Sequence, residues 1–142
     1  MHINVKNLID LNIEVKEKIS SLNKKNYMPK IIAVSKTFSL EFISPLIDYG
    51  HIDYGENKVQ EALEKWSKIK SINKAIQLHM IGKLQSNKVK QAVSIFDYIH
   101  SVDSVKLANK IANEQVKQNK KLKIFLQINV GEETQKSGVK LN

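Results

Sequence analysis

The side chains with chemistry to offer sit where the apolar runs stop. In IIAVSKTFS, Ile31 to Ser39, four apolar residues read as a buried strand that runs through Ser35 into Lys36. Other runs end in the same manner: HIDYGEN at Asn57, AIQLHMIGKLQSNK with His79 and Gly82, FDYIHSVDS with His100 and Ser101, and LQINVGEE with Asn129. A strand's period of two puts Ile32, Val34 and Lys36 on one side, so the lysine stem rises over an apolar layer. Removing an ammonium from water lowers its pKa and raises the fraction of free amine, the form that a Schiff-base lysine needs. The competing reading is a stem that snorkels its charge into water, and position alone does not choose between the two.

Each of the other strand-end residues also has a structural reading. Asn57 suits a helix start, His79 and His100 suit hydrogen-bonded strand histidines, Ser101 and Asp103 suit caps, and Asn129 suits a turn. The histidines and carboxylates include no closely spaced ligand pair, so no metal site is expected. Ser35 stands in no G-x-S-x-G elbow, which argues against a Ser/His/Asp hydrolase.

These residues need a scaffold, and the composition is that of an ordinary folded chain. It has 142 residues, 42% apolar and 26% charged, the size of one domain with a real core. No apolar run is long enough to span a bilayer, and MHINVKNLID lacks the features of a secretory signal. The absence of cysteine fits a reducing cytoplasm. The net charge of +9 would ordinarily point to nucleic acid, but all 23 basic residues are lysine. Reading base edges favours arginine's planar fork, and an AT-biased coding sequence would itself yield this Lys, Ile and Asn usage. A solvated lysine surface is preferred, with a basic module for RNA or acidic partners as the outlying alternative.

Leu8, Leu11, Val15, Ile19 and Leu22 predict an amphipathic opening helix that ends near NKKNYMP. A strand follows over Lys30 to Ser35, then a helix from Ser39 as N-cap to Gly50 as C′ residue, with Pro45 kinking it or lying in its first turn. HIDYGEN reads as a strand and a tight glycine turn, and Val59, Leu63, Trp66 and Ile69 as one helix face. Strand AIQLHMI leads to a short helix capped by Ser86. Strand FDYIHS leads to a helix starting near Asp103 with Leu107, Ala108, Ile111 and Ala112 inward. In LKIFLQINV, residues 122, 124, 126, 128 and 130 face one way and 123, 125, 127 and 129 the other.

Strand and helix thus alternate about every 20 to 25 residues through five strands, which is the pattern of parallel βαβ units. Both an open doubly wound sheet and a closed barrel satisfy it, and both place function at the carboxyl ends of the strands. No glycine-rich dinucleotide fingerprint follows the first strand, where SKTFSL stands.

In order and spacing, the set AVSK, YGENKVQE, HMIGKLQSNK, IHSVDS and LQINVGEE with KSG resembles the pyridoxal 5′-phosphate homeostasis proteins, also called the YggS or PROSC family. The resemblance runs from the opening helix to Asn142. It implies an α/β fold, a parallel (β/α) barrel like the N-terminal domain of alanine racemase. It further implies pyridoxal 5′-phosphate held as a Schiff base on Lys36, with Asn57 and His79 as further cofactor-binding residues. Such proteins bind, buffer or deliver the cofactor, with apo-enzymes as recipients, and are not known for robust turnover. The racemase completes its site with a second domain and a partner subunit, and a cofactor without that acid-base setting is carried more than used.

Family members run to roughly eight strands and about 200 residues or more. Residues 1–142 are therefore expected to be a single partial barrel domain of about five strands, with the later strands and their phosphate-binding loops outside it. Open edges at the first and fifth strands would favour association. Leu78 stands where a tryptophan commonly precedes the histidine, and Pro45 is unusual within the second helix. The enzyme alternative is a racemase-like activity on amino acids using the same lysine.

Overall fold

The structure is a computed structural model and describes residues 1–22 and 26–141. The elements are α1 (Ile3–Ser21), β1 (Ala33–Val34), α2 (Leu40–Asp48), β2 (Asp53–Glu56), α3 (Val59–Ile72), β3 (Gln77–Met80), α4 (Val89–Ile95), β4 (Tyr98–Val102), α5 (Val105–Lys117) and β5 (Lys123–Leu126). A 3-10 turn, Ser86–Lys88, precedes α4, so Ser86 opens that turn and does not cap a helix. The expected end of the first helix near Asn23, and Asn142 itself, lie outside the described residues.

All five strands are parallel, and their spatial order is β1-β2-β3-β4-β5. A doubly wound sheet reverses direction at a switch point, whereas strands laid down in sequence order are consecutive staves of a (β/α) barrel. The topology therefore resolves the choice that periodicity left open, in favour of a partial barrel. β1 and β5 form its two edges. β1 is shorter than the expected Lys30 to Ser35, pairing only through Ala33 with Tyr54 and Val34 with Gly55, because an edge strand has a neighbour on one side alone.

The core lies between the sheet and helices α3, α4 and α5. Trp66, Tyr54, Phe96, Ile76, Leu78, Met80 and Ile99 are fully buried there, and each large apolar side chain so placed contributes roughly 1.5–3 kcal/mol. Trp66 and Tyr54 meet with ring centroids 4.7 Å apart. On α5, Leu107 and Ile111 are buried, but Ala112 is exposed, so the inward face is narrower than expected. That helix is capped by Ser104, whose Oγ accepts from the Leu107 N–H at 3.2 Å. On α1 only Val5 and Leu8 are buried, and Leu11 is 43% exposed.

The termini of α2 are locally determined. Gly50 adopts φ +97°, its N–H donates to Ile47 O at 2.9 Å, and the His51 N–H donates to Leu46 O at 2.9 Å, a Schellman close that needs a glycine. Pro45 sits inside the helix, where it cannot donate to Glu41 O, and the Ser44 hydroxyl reaches that carbonyl at 3.4 Å. Gly55 lies within β2 and not in a turn. A β-carbon there would stand 3.0 Å from Ile81 Cδ1 and 3.2 Å from Ile32 Cγ2.

Candidate functional site at the strand ends

Lys36 lies two residues past the end of β1 and is half-buried, and it has no ion-pair partner among the described residues. It is the second residue of a four-residue turn closed by the Phe38 N–H donating to Ser35 O at 3.2 Å. Thr37, the third residue, has φ +65°, the sign that type II turns require and that a β-branched side chain rarely adopts. The lysine is thus presented on a sharp corner. Val34, two residues earlier, is 49% exposed, so the last residue of β1 lies open to solvent rather than in a closed apolar layer.

Asn57 stands at the same level. Val34 pairs with Gly55, and Lys36 and Asn57 each follow two residues later, just beyond the ends of their strands. The loop after β3 presses on Asn57 from the other side: a β-carbon on Gly82 would lie 2.4 Å from Asn57 O, and the Ile81 N–H donates to Glu56 O at 3.0 Å. AVSK, YGEN and IGK are therefore one contiguous rim across three strand ends.

His79 is placed differently. It pairs with Gly55, two residues below Asn57, and is buried. Its Nε2 lies 2.9 Å from Asp53 Oδ1 and its Nδ1 lies 2.9 Å from His100 Nε2, while its ring stacks on Tyr98 at 4.1 Å. The Asp53 carboxylate accepts, so Nε2 carries the proton. Nδ1 then accepts from His100 Nε2–H, and both histidines are neutral. Burial pushes His79 below its ordinary range, opposed in part by Asp53. Burial also lowers His100, with the neighbouring His79 adding to the effect. Both ring nitrogens of His79 are engaged, and the structure does not bring it to the rim with Lys36 and Asn57.

Around these rings the wall is polar and aromatic. Lys30 pairs with Asp53 at 3.2 Å, Lys123 Nζ donates to the Tyr98 hydroxyl at 3.2 Å, and Phe125 stacks on His100 at 4.5 Å. Burial would raise Tyr98, but the ammonium groups of Lys123 and Lys30 outweigh it and draw it below the usual phenol range.

Behind the rim, on the helix side, lies a charged cluster that sequence reasoning missed. Glu56 is fully buried, and its Oε1 accepts from Ser35 Oγ at 2.7 Å, Lys65 Nζ at 2.9 Å and Trp66 Nε1 at 2.9 Å. Its Oε2 is buried without a partner among the described residues. A carboxylate and a tryptophan ten positions apart share no local periodicity. Of the remaining expected residues, Ser101 is buried, with no hydrogen bond to its hydroxyl among the described residues, and caps nothing. Asn129 is the turn former expected, with Nδ2 donating to Glu133 O at 2.8 Å and Oδ1 accepting from the Glu133 N–H at 3.3 Å. Among the described residues no group of three or more His, Cys, Asp or Glu is arranged to hold a metal.

Parallel staves in sequence order, with helices over one face, define a protein of the (β/α) barrel class, and the strand ends past which Lys36 lies are its candidate site. Residues 9–142 match the family model of the alanine racemase N-terminal domain, and the chain belongs to that family. It is 38% identical over 138 residues to the pyridoxal phosphate homeostasis protein of Buchnera aphidicola subsp. Schizaphis graminum, covering 94% of this chain and 60% of that protein. It is 37% identical over 134 residues to that of Haemophilus influenzae, covering 94% and 55%. Among solved structures, PipY of Synechococcus elongatus PCC7942 with PLP bound matches with a TM-score of 0.70 and 34% identity over 88% of this chain and 57% of that one. The same protein without PLP gives 0.73 at 34% identity. The chain thus spans 55 to 60% of the length of these curated relatives. The relatives are the group to which the motif set pointed.

Proposed function

We propose that this chain binds pyridoxal 5′-phosphate through Lys36 and serves cofactor homeostasis: binding, buffering and delivery to apo-enzymes in the cytoplasm. The observation that carries the reading is a half-buried lysine without an ion-pair partner among the described residues, on a sharp turn past β1 whose neighbour β2 ends beside Asn57. The donor set fits an aldehyde. Lys36 would hold the cofactor's aldehyde carbon through its side-chain nitrogen as a Schiff base, with water as the only by-product. Bound in this way, the cofactor would supply an electron sink.

The chain's own residues do the rest. Asn57 offers an amide beside the ring, and His79 holds the wall below through Asp53 and His100. Without arginine, the chain presents only lysine to the phosphate, a point charge lacking the bidentate fork. Support for carriage over turnover comes from two sides: the relatives are homeostasis proteins, and the two nearby histidines have committed their facing nitrogens to each other and to Asp53. No helix among the described residues is long and apolar enough to cross a membrane.

The test is to add pyridoxal phosphate to the purified chain, reduce with borohydride and map the modified peptides. One dominant label on the Lys36 peptide, lost in Lys36→Ala, is expected. Label spread over many lysines and undiminished in that variant would overturn the reading. Exchange of the α-hydrogen of L- or D-alanine by the loaded protein would replace carriage with racemase-like catalysis.

A further inference from the structure

We infer that the buried Glu56–Lys65 pair is a positioning device for Lys36, acting through Ser35. The inference rests on the reading of Lys36 as the Schiff-base lysine and adds what holds that lysine in place. The pair is an unusual thing to find in a core. Glu56 is fully buried and the Lys65 side chain is 13% exposed, with the two 2.9 Å apart. Burying two charges removes hydration that their attraction repays only with good geometry, and packed apolar residues often serve stability as well or better. Here the geometry is lopsided, because one carboxylate oxygen takes three donors and the other takes none among the described residues. Stability alone does not explain such an arrangement.

What the pair does hold is Ser35. Its hydroxyl donates to Glu56 Oε1 at 2.7 Å, and its carbonyl accepts from Lys65 Nζ at 2.8 Å and from the Phe38 N–H at 3.2 Å. Its own N–H donates to Gly55 O at 3.0 Å. Every polar group of Ser35 is therefore fixed, and the two side-chain anchors come from this one pair. The next residue is Lys36, and the one after is Thr37, whose φ of +65° is unfavourable for its side chain. A turn with a β-branched residue at that corner does not hold itself. The Glu56–Lys65 pair, seated on Trp66 of α3, clamps the first corner so that the amine points from a constant place at the rim. Glu56 and Lys65 sit on the helix side of the sheet and act on Lys36 only through Ser35, which makes them positioning residues.

The test uses three variants of the chain. Ser35→Ala removes the hydroxyl and leaves the ion pair whole. Glu56→Gln combined with Lys65→Met removes both charges, so that neither is left buried alone. Lys70→Met breaks another pair on the same helix, that with Asp97, and serves as control. Two readouts are taken. Amide hydrogen exchange at Phe38 reports the turn without any cofactor, and borohydride-fixed pyridoxal phosphate reports the lysine, together with the pH midpoint of the Schiff-base absorption band. In Ser35→Ala and in the double variant, Phe38 exchange is expected to quicken and the share of label on Lys36 to fall, each about tenfold, the scale of one hydrogen bond to a charged group. The pH midpoint moves with them, while Lys70→Met changes none of the three. Wild-type exchange at Phe38 in folded Ser35→Ala, or an unchanged share of label and pH midpoint, overturns the inference. Label missing from Lys36 in the wild type defeats the underlying reading instead, and Phe38 exchange then still decides whether the pair holds the turn.

Discussion

A β-carbon on Gly82 would lie 2.4 Å from the carbonyl oxygen of Asn57 and 2.8 Å from its Cα, so the loop after β3 lies flat against Asn57 just past the end of β2. Backbone does not yield to such an overlap without moving. Gly82→Ala is expected to destabilise the chain by about 1–3 kcal/mol, as overpacking does. It is also expected to reduce cofactor label on Lys36 by displacing Asn57. A urea midpoint and a labelling yield both at wild-type values would show that the contact is slack.

The paired histidines make stability depend on pH. Burial holds both His79 and His100 below the ordinary value of 6.5. Between that value and the lower folded ones the unfolded chain binds more protons, so stability is complete above about pH 6.5 and falls as pH drops through the window. The shared hydrogen bond sharpens this, since a proton added at His79 Nδ1 would set its N–H against the His100 Nε2–H. Urea midpoints should decline from about pH 7.5 to about pH 5, and the decline should flatten in His79→Gln. A midpoint constant across that range would contradict the neutral pair.

Thr37 offers a prediction of opposite sign. At φ +65° a non-glycine residue costs about 1–2 kcal/mol, and glycine removes that cost while giving back part of it as chain entropy. Thr37→Gly should therefore raise stability by roughly 0.5–1 kcal/mol, read from a denaturant midpoint at constant slope. A lower midpoint would mean that the threonine side chain makes contacts worth more than the strain.

At the other edge, β5 shows Ile124 at 46%, Phe125 at 51% and Leu126 at 65% exposure beside an unpaired strand backbone. Such an edge templates pairing with another chain, and an added charge blunts it. Sedimentation velocity should show concentration-dependent association that Leu126→Lys reduces. Identical profiles for the two would place any self-association elsewhere.

Much of the fold could be read along the chain because its signals are local. The helix faces through Val59 and Trp66 and through Leu107 and Ile111 follow from spacing, and the Gly50 close of α2 follows from one residue's conformational freedom. The alternation around Lys123 and Phe125 also held, since Lys123 reaches Tyr98 and Phe125 stacks on His100 on one face. Element ends were harder. β1 spans only Ala33–Val34 because its length depends on a neighbour that an edge lacks, and Gly55 lies in a strand where the pattern suggests a turn, because a glycine's need for space is invisible without Ile81 and Ile32. The motif residues are legible but not their levels: strand register sets His79 opposite Gly55, two residues before Asn57.

By itself the sequence determined the elements, their parallel character and the candidate lysine, since a period of two or 3.6 and a residue at the end of an apolar run are properties of neighbours in the chain. Only the tertiary structure decided that the strands lie in sequence order, that Asp53, His79 and His100 form one hydrogen-bonded line, and that Glu56 and Lys65 reach Ser35 behind Lys36. Those relations join residues 9 to 30 positions apart, and no local pattern encodes which distant partner a buried polar group will meet.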